Sequence, residues 1–103
     1  MNETNENIED KYFERIDIVN GLIDYFNSNE NIKFITIQAI TRYVFKINYK
    51  EKNISISIYN NRMELWYCPK ISHTYIFKDY IDLDYIKYVI DGFLNCVDYS
   101  IFN

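Results

Sequence analysis

Residues 42–68, RYVFKINYKEKNISISIYNNRMELWYC, alternate apolar and polar side chains with a period of two, and their reading decides the fold. Tyr43, Phe45, Ile47 and Tyr49 alternate with Arg42, Val44, Lys46, Asn48 and Lys50. Ile54, Ile56 and Ile58 alternate with Ser55, Ser57 and Tyr59, and after Asn60-Asn61 the residues Met63, Leu65 and Tyr67 alternate with Arg62, Glu64, Trp66 and Cys68. A period of two places successive side chains on opposite faces of a strand.

Asn accepts the left-handed conformation that a two-residue type I′ turn requires, so Asn60-Asn61 reads as a tight hairpin. That turn sets Tyr59 opposite Arg62, Ile58 opposite Met63, Ile56 opposite Leu65 and Ile54 opposite Tyr67, with Ser57 meeting Glu64 and Ser55 meeting Trp66 on the other face. A second turn, around Glu51-Lys52, sets Tyr49 opposite Ile54 and Ile47 opposite Ile56. Both hairpins choose the same core face, and a slip of one residue in either would break the agreement.

Outward from this block the pattern is less regular. Ile32 to Ile40 reads as a further strand that needs a bend or bulge near Ala39-Ile40-Thr41 to enter register. Pro69 ends the strand before it, and Thr74 to Lys78 adds a short edge strand. Upstream, Ile8, Tyr12, Ile16, Val19, Ile23 and Phe26 recur in steps of three and four, one stripe of a helix that Asn5 or Asn7 caps and Asn27-Ser28-Asn29 ends. Downstream, Leu83, Ile86, Ile90, Phe93 and Val97 form a second stripe, capped by Asp79 or Asp82. Gly92 costs this helix up to about 1 kcal/mol against Ala, and close packing would be a reason to keep it.

The reading is an α+β fold: a two-layer domain over residues 1–103, with an antiparallel meander of four to five strands and an N-terminal and a C-terminal helix on one face (α-β-β-β-β-α). Residues 1–6 read as a frayed start and 99–103 as a tail. Ile16, Ile47, Ile56, Leu65, Ile90 and Phe93 are expected to share the core.

Charge is sorted along the chain. Residues 1–30 carry net −6, residues 31–70 net +5 and residues 71–103 net −3, within an overall −4. With 49% apolar and 25% charged residues the composition is that of a folded globular domain. The wealth of Ile, Asn, Tyr, Lys and Phe fits an AT-rich genome. The acidic first dozen residues lack the apolar stretch of a secretory signal, so the expectation is a cytoplasmic protein with no membrane association. Cys68 and Cys96 have no metal-ligand spacing and read as two buried reduced thiols rather than a disulfide.

Gly21 and Gly92 cannot build a glycine-rich phosphate loop, and the single His73, read into a loop from Lys70 to Thr74, has no neighbouring nucleophile or second base. The expectation is a non-enzymatic protein with no cofactor and no metal. Two surfaces remain. On the helices, Asp10, Glu14, Asp17 and Asp24 form one acidic ridge and Asp84, Asp91 and Asp98 another, suited to meeting a protein partner with a basic surface. On the outward face of the sheet, Arg42, Lys46, Lys50, Tyr59, Arg62 and Trp66 interleave cations with aromatics, which suits phosphates and stacked bases, although net −4 opposes long-range attraction to nucleic acid. That face could also pair with itself in a homodimer anchored on Trp66 and Tyr59. A small, acidic, motif-free domain of this kind resembles, as a class, the inhibitors and immunity proteins of phages and mobile elements, which act by binding one target. The sequence-based expectation is therefore a protein-binding inhibitor or adaptor that engages a basic, nucleic-acid-handling target through its acidic helices. The alternative is a small nucleic-acid-binding module that uses the sheet face.

Overall fold

The period of two is realised as five antiparallel strands in a single open sheet, ordered as they occur in the chain. A computed structural model describes residues 16–100. They comprise helix α1 over residues 16–27, strands β1 (Ile32–Gln38), β2 (Tyr43–Tyr49), β3 (Lys52–Ile58), β4 (Arg62–Cys68) and β5 (Ile71–Ile76), and helix α2 (Leu83–Asp98). The proposed caps Asn5 and Asn7 and the apolar positions Ile8 and Tyr12 lie outside the described residues.

The β3–β4 hairpin has the expected register, with Ile58 opposite Met63, Ile56 opposite Leu65, Ser57 opposite Glu64 and Ser55 opposite Trp66. The Tyr59 amide donates to the Arg62 carbonyl at 2.8 Å, closing the Asn60-Asn61 turn, but neither asparagine has the positive φ of the expected type I′ turn. The β2–β3 hairpin differs from expectation. Tyr49 pairs with Lys52, Ile47 with Ile54 and Phe45 with Ile56, so the register is two residues tighter. Its turn is Lys50-Glu51, both at positive φ (51° and 68°), as a type I′ turn demands. Because the side-chain period is two, a shift of two residues keeps every side chain on its face, and face matching alone cannot detect it.

The bend or bulge expected near Ala39-Ile40-Thr41 is a bend, and it reverses the chain rather than continuing the strand. The Ala39 amide donates to the Arg42 carbonyl at 2.8 Å, so Ile40-Thr41 is itself a two-residue turn, and β1 pairs with β2 without interruption from Ile32–Tyr49 to Gln38–Tyr43. The irregularity lies between Trp66 and Cys68 on β4. It re-aims the chain before Pro69 and lets β5 begin at Ile71, earlier than the expected Thr74, which places His73 in a strand opposite Leu65 rather than in a loop.

The buried inward strand residues and both helices form one cluster. It contains Phe45, Ile47, Ile54, Ile56, Ile58, Met63 and Leu65 from the sheet, Ile18, Val19, Leu22 and Phe26 from α1, and Ile86, Ile90, Phe93, Leu94 and Val97 from α2. The Phe26 ring packs edge-on against Phe45 at 5.1 Å and Phe34 at 5.6 Å, which ties α1 to β1 and β2. The expected α1 stripe is rotated: Leu22 and Ile18 are buried, and Ile16 is exposed. The helix has two adjacent apolar diagonals that share Val19 and Phe26, and close approach to α2 selects the second. A Cβ on Gly21 would lie 2.4 Å from a methyl of Leu83, so only glycine lets the helices meet here without displacing it. Gly92, by contrast, has nothing within 4 Å of its Cβ position, so close packing does not explain it.

Asp82 is the α2 cap, its Oδ1 accepting from the amides of Asp84 and Tyr85 at 3.1 and 3.3 Å. Cys68 is half-buried and Cys96 exposed rather than both buried, and both are free thiols. No helix among the described residues is long and apolar enough to cross a membrane.

Leu65→Ala, at the centre of the cluster, should destabilise the fold by about 2–5 kcal/mol in denaturant unfolding, while Ile16→Ala should cost under about 1 kcal/mol. Equal losses at the two positions would contradict the rotation of α1.

Candidate functional site

The helices and the open face of the sheet carry opposite kinds of surface. On the helical layer Asp17 and Asp24 are exposed on α1, and Asp84 and Asp91 on α2. None of these four carboxylates has an ion-pair partner among the described residues. Asp84 and Asp91 stand two turns apart on one side of α2, roughly 10 Å at 1.5 Å per residue. Local desolvation pushes the Asp91 carboxyl above its ordinary range. Lys87, one turn before it, lies instead 5.7 Å from the ring of Tyr25 on α1. Asp10 and Glu14 lie outside the described residues.

Asp98 does not belong to this open row. It accepts from the Tyr49 hydroxyl at 2.8 Å and pairs with Lys50 Nζ at 3.3 Å. Lys52 Nζ donates to the Val97 carbonyl at 3.3 Å. The last turn of α2 has no basic residue of its own, so the β2–β3 hairpin supplies the cations that the negative end of a helix dipole favours. Burial first, and then the bond to Asp98, raise the pKa of Tyr49. Hydrogen bonding to Tyr49 and then to Asp98 raises that of Lys50.

Sequence reasoning missed the tyrosines of this layer. Tyr80, Tyr85, Tyr88 and Tyr99 are exposed, and Tyr85 sits against Tyr88 at 6.0 Å and Tyr75 at 5.6 Å between ring centroids. Asp84 and Asp91 flank the tyrosines in the order Asp84, Tyr85, Tyr88, Asp91, so the signal was the aromatic content of the polar side of α2. Tyrosines beside unpaired acids give a surface with both contact area and charge, the composition protein interfaces favour.

The open face of the sheet is less basic than its sequence implied. Lys46, Ser55 and Trp66 share one cross-strand row, with Trp66 48% exposed. Towards the end of the sheet bearing the Ile40-Thr41 and Asn60-Asn61 turns, the guanidinium carbon of Arg62 lies 3.8 Å and that of Arg42 5.8 Å from the centroid of Tyr59, and Arg62 Nε pairs with Glu64 at 2.9 Å. That pairing raises the pKa of Arg62. Lys50 lies in the β2–β3 turn and reaches α2, so it is not on this platform. Apolar Ile35, Ile37 and Val44 share the face through their pairing with Lys46, each other and Ser57, and they interrupt the cationic track.

A cleft of ≈ 590 Å³ between β5 and α2 is lined by His73, Tyr88, Gly92 and Cys96 among others. Among the described residues no three His, Cys, Asp or Glu side chains cluster as a metal site would require. No family model, curated protein or solved structure matches the chain.

Tyr49→Phe removes the hydroxyl that holds Asp98 and should cost about 1 kcal/mol at neutral pH. A phenol whose pKa is raised on folding contributes stability that is fully present below about pH 10 and lost as pH rises further. Unfolding measured at neutral and strongly alkaline pH should therefore show a smaller alkaline loss in Tyr49→Phe than in the unsubstituted chain.

Proposed function

We propose that the protein is a non-enzymatic binding protein, an inhibitor or adaptor, that engages a basic, nucleic-acid-handling protein through its helical layer. The observation that carries the reading is the set of four exposed carboxylates, Asp17, Asp24, Asp84 and Asp91, none in an ion pair among the described residues. Acids on a two-helix layer that are in no ion pair among the described residues steer a cationic partner and lose little on docking, because none of those described contacts has to break first. The exposed Tyr85 and Tyr88 supply contact area between the acids. A surface that presents carboxylates at regular helical spacing competes with nucleic acid for a phosphate-binding face. The profile fits inhibitors of the phage and mobile-element class, acting in the cytoplasm.

Capture from a nuclease-treated extract should retain a basic nucleic-acid-binding protein that elutes with rising salt and is displaced by duplex DNA. Reversing Asp17, Asp24, Asp84 and Asp91 to Lys should abolish that capture while leaving the helical circular dichroism intact. Equal capture by the reversed protein across a salt series would rule the acidic layer out.

A second reading, a small nucleic-acid-binding module, rests on the exposed Trp66 in the same cross-strand row as Lys46, with Arg42 and Arg62 further along the same face. Each aromatic stack on a base is worth about 1–3 kcal/mol, so Trp66→Ala would weaken such binding roughly tenfold or more. Titrating Trp66 fluorescence with single-stranded oligonucleotides separates the readings: saturable quenching at physiological salt favours the sheet face, and a flat response leaves the helical layer as the binding surface.

A further inference from the structure

β1 is an edge strand whose second half is uncovered on both faces. Ile35 is 61% and Ile37 43% exposed on the open face, Thr36 and Gln38 are exposed on the other, and Ile40 in the following turn is 95% exposed. Sheet edges normally carry protection: a bulge, a proline, a short strand or inward charges. The β5 edge has such features, with a register shift in the strand pair and Pro69 just before it. β1 has none. Its seven residues pair with β2 without a bulge, and Lys33 is its only charged residue.

The hydrogen bonds fix which groups are free. Lys50 N–H donates to the Asn31 carbonyl and Ala39 N–H to the Arg42 carbonyl, at the two ends of one continuous register. Antiparallel pairs alternate between bonded and non-bonded, so Lys33, Ile35 and Ile37 direct their backbone groups at β2. Phe34, Thr36 and Gln38 direct theirs at the open edge.

We propose that β1 pairs with β1 of a second copy of this chain, antiparallel about a twofold axis at Thr36, to make one continuous ten-stranded sheet. A twofold interface needs a self-complementary strand, and the Ile35-Thr36-Ile37 segment reads the same in both directions. In this register Thr36 meets the partner's Thr36 and Phe34 meets the partner's Gln38, each as a hydrogen-bonded pair. Ile35 meets the partner's Ile37 twice, in non-bonded positions where side chains come closest. The charge pattern suits the same register: Lys33 falls opposite the partner's uncharged Ala39, and no like charges meet across the edge. An axis at Ile35 would instead place Lys33 opposite the partner's Ile37. The inference does not rest on the function proposed above. The twofold axis runs perpendicular to the sheet, so both acidic helical layers would lie on one side, and a partner with two basic sites could be held bivalently.

Sedimentation equilibrium of the full chain, from micromolar to submillimolar concentration, should show a species of twice the 12.6 kDa chain mass. Thr36→Pro removes an N–H that points at the open edge and no β1–β2 bond. Ile35→Lys places a charge in the apolar pair. Each should weaken association at least about tenfold with circular dichroism unchanged. Should Thr36→Pro fail to fold, Ile35→Lys carries the test. The double variant Ile35→Lys, Ile37→Glu puts opposite charges face to face in the Thr36 register and should recover association relative to Ile35→Lys alone. A 12.6 kDa mass at every concentration would overturn the proposal, as would Ile35→Lys that associates like the unsubstituted chain. Failure of the double variant to recover would overturn the Thr36 register.

Discussion

The inward face of the sheet is the constraint on which the rest of the structure depends. Phe45, Ile47, Ile54, Ile56, Ile58, Met63 and Leu65 all point to one side, and an apolar face of that extent has to be removed from water. One helix is too narrow to cover five strands, so α1 lies over β1 and β2 through Phe26 and α2 reaches β4 and β5. The two helices meet where Gly21 admits Leu83. A bulkier residue at that point would have to displace the end of the Leu83 side chain.

Covering one face leaves the other bare, and this asymmetry organises the surface. Among the described residues α1 and α2 carry Asp17, Asp24, Asp84, Asp91 and Asp98, and β1 to β4 with their turns carry most of the bases, so charge sorted along the sequence becomes charge sorted by layer. The sorting has an internal use as well. Lys50 and Lys52, at the tip of a hairpin, reach Asp98 and Val97 at the end of α2, so the basic segment closes onto the acidic one at a single corner. Asp17, Asp24, Asp84 and Asp91 stay exposed on the helices, outside any ion pair among the described residues. On the open face Ile35 and Ile37 lie exposed beside the cations while Val44 between the strands is buried, and the single helical layer is on the other side of the sheet.

Much of this was legible in the sequence because two periodicities carry direct geometric meaning. A period of two in residues 42–68 gave the strands and the core face, and the Asn60-Asn61 turn gave one register to the residue. The α2 stripe was equally plain, since Ile86, Ile90, Phe93 and Val97 form a single diagonal. The β2–β3 register was not recoverable by the same reasoning, because a two-residue shift is invisible to face matching. Lys50-Glu51 also lacks the Asn or Gly that usually announces positive φ. The candidate site was legible as rows of acids, but not in its membership: Asp98 and Lys50 sit on an acidic and a basic pattern respectively, and only their meeting removes both from the open surface.

By itself, then, the sequence determined the class of fold, the strand faces, the second helix and the segregation of charge, since each follows from local spacing and composition. Tertiary structure decided the rotation of α1, where two apolar diagonals compete and the approach of Gly21 to Leu83 selects one. It decided the register of the β2–β3 hairpin and the course of the chain into β5, where a register shift displaced the strand and carried His73 with it. It also decided which charges remain available, because an ion pair between Lys50 and Asp98, 48 residues apart, depends on how the hairpin and the helix end are brought together and leaves no periodic trace in the chain.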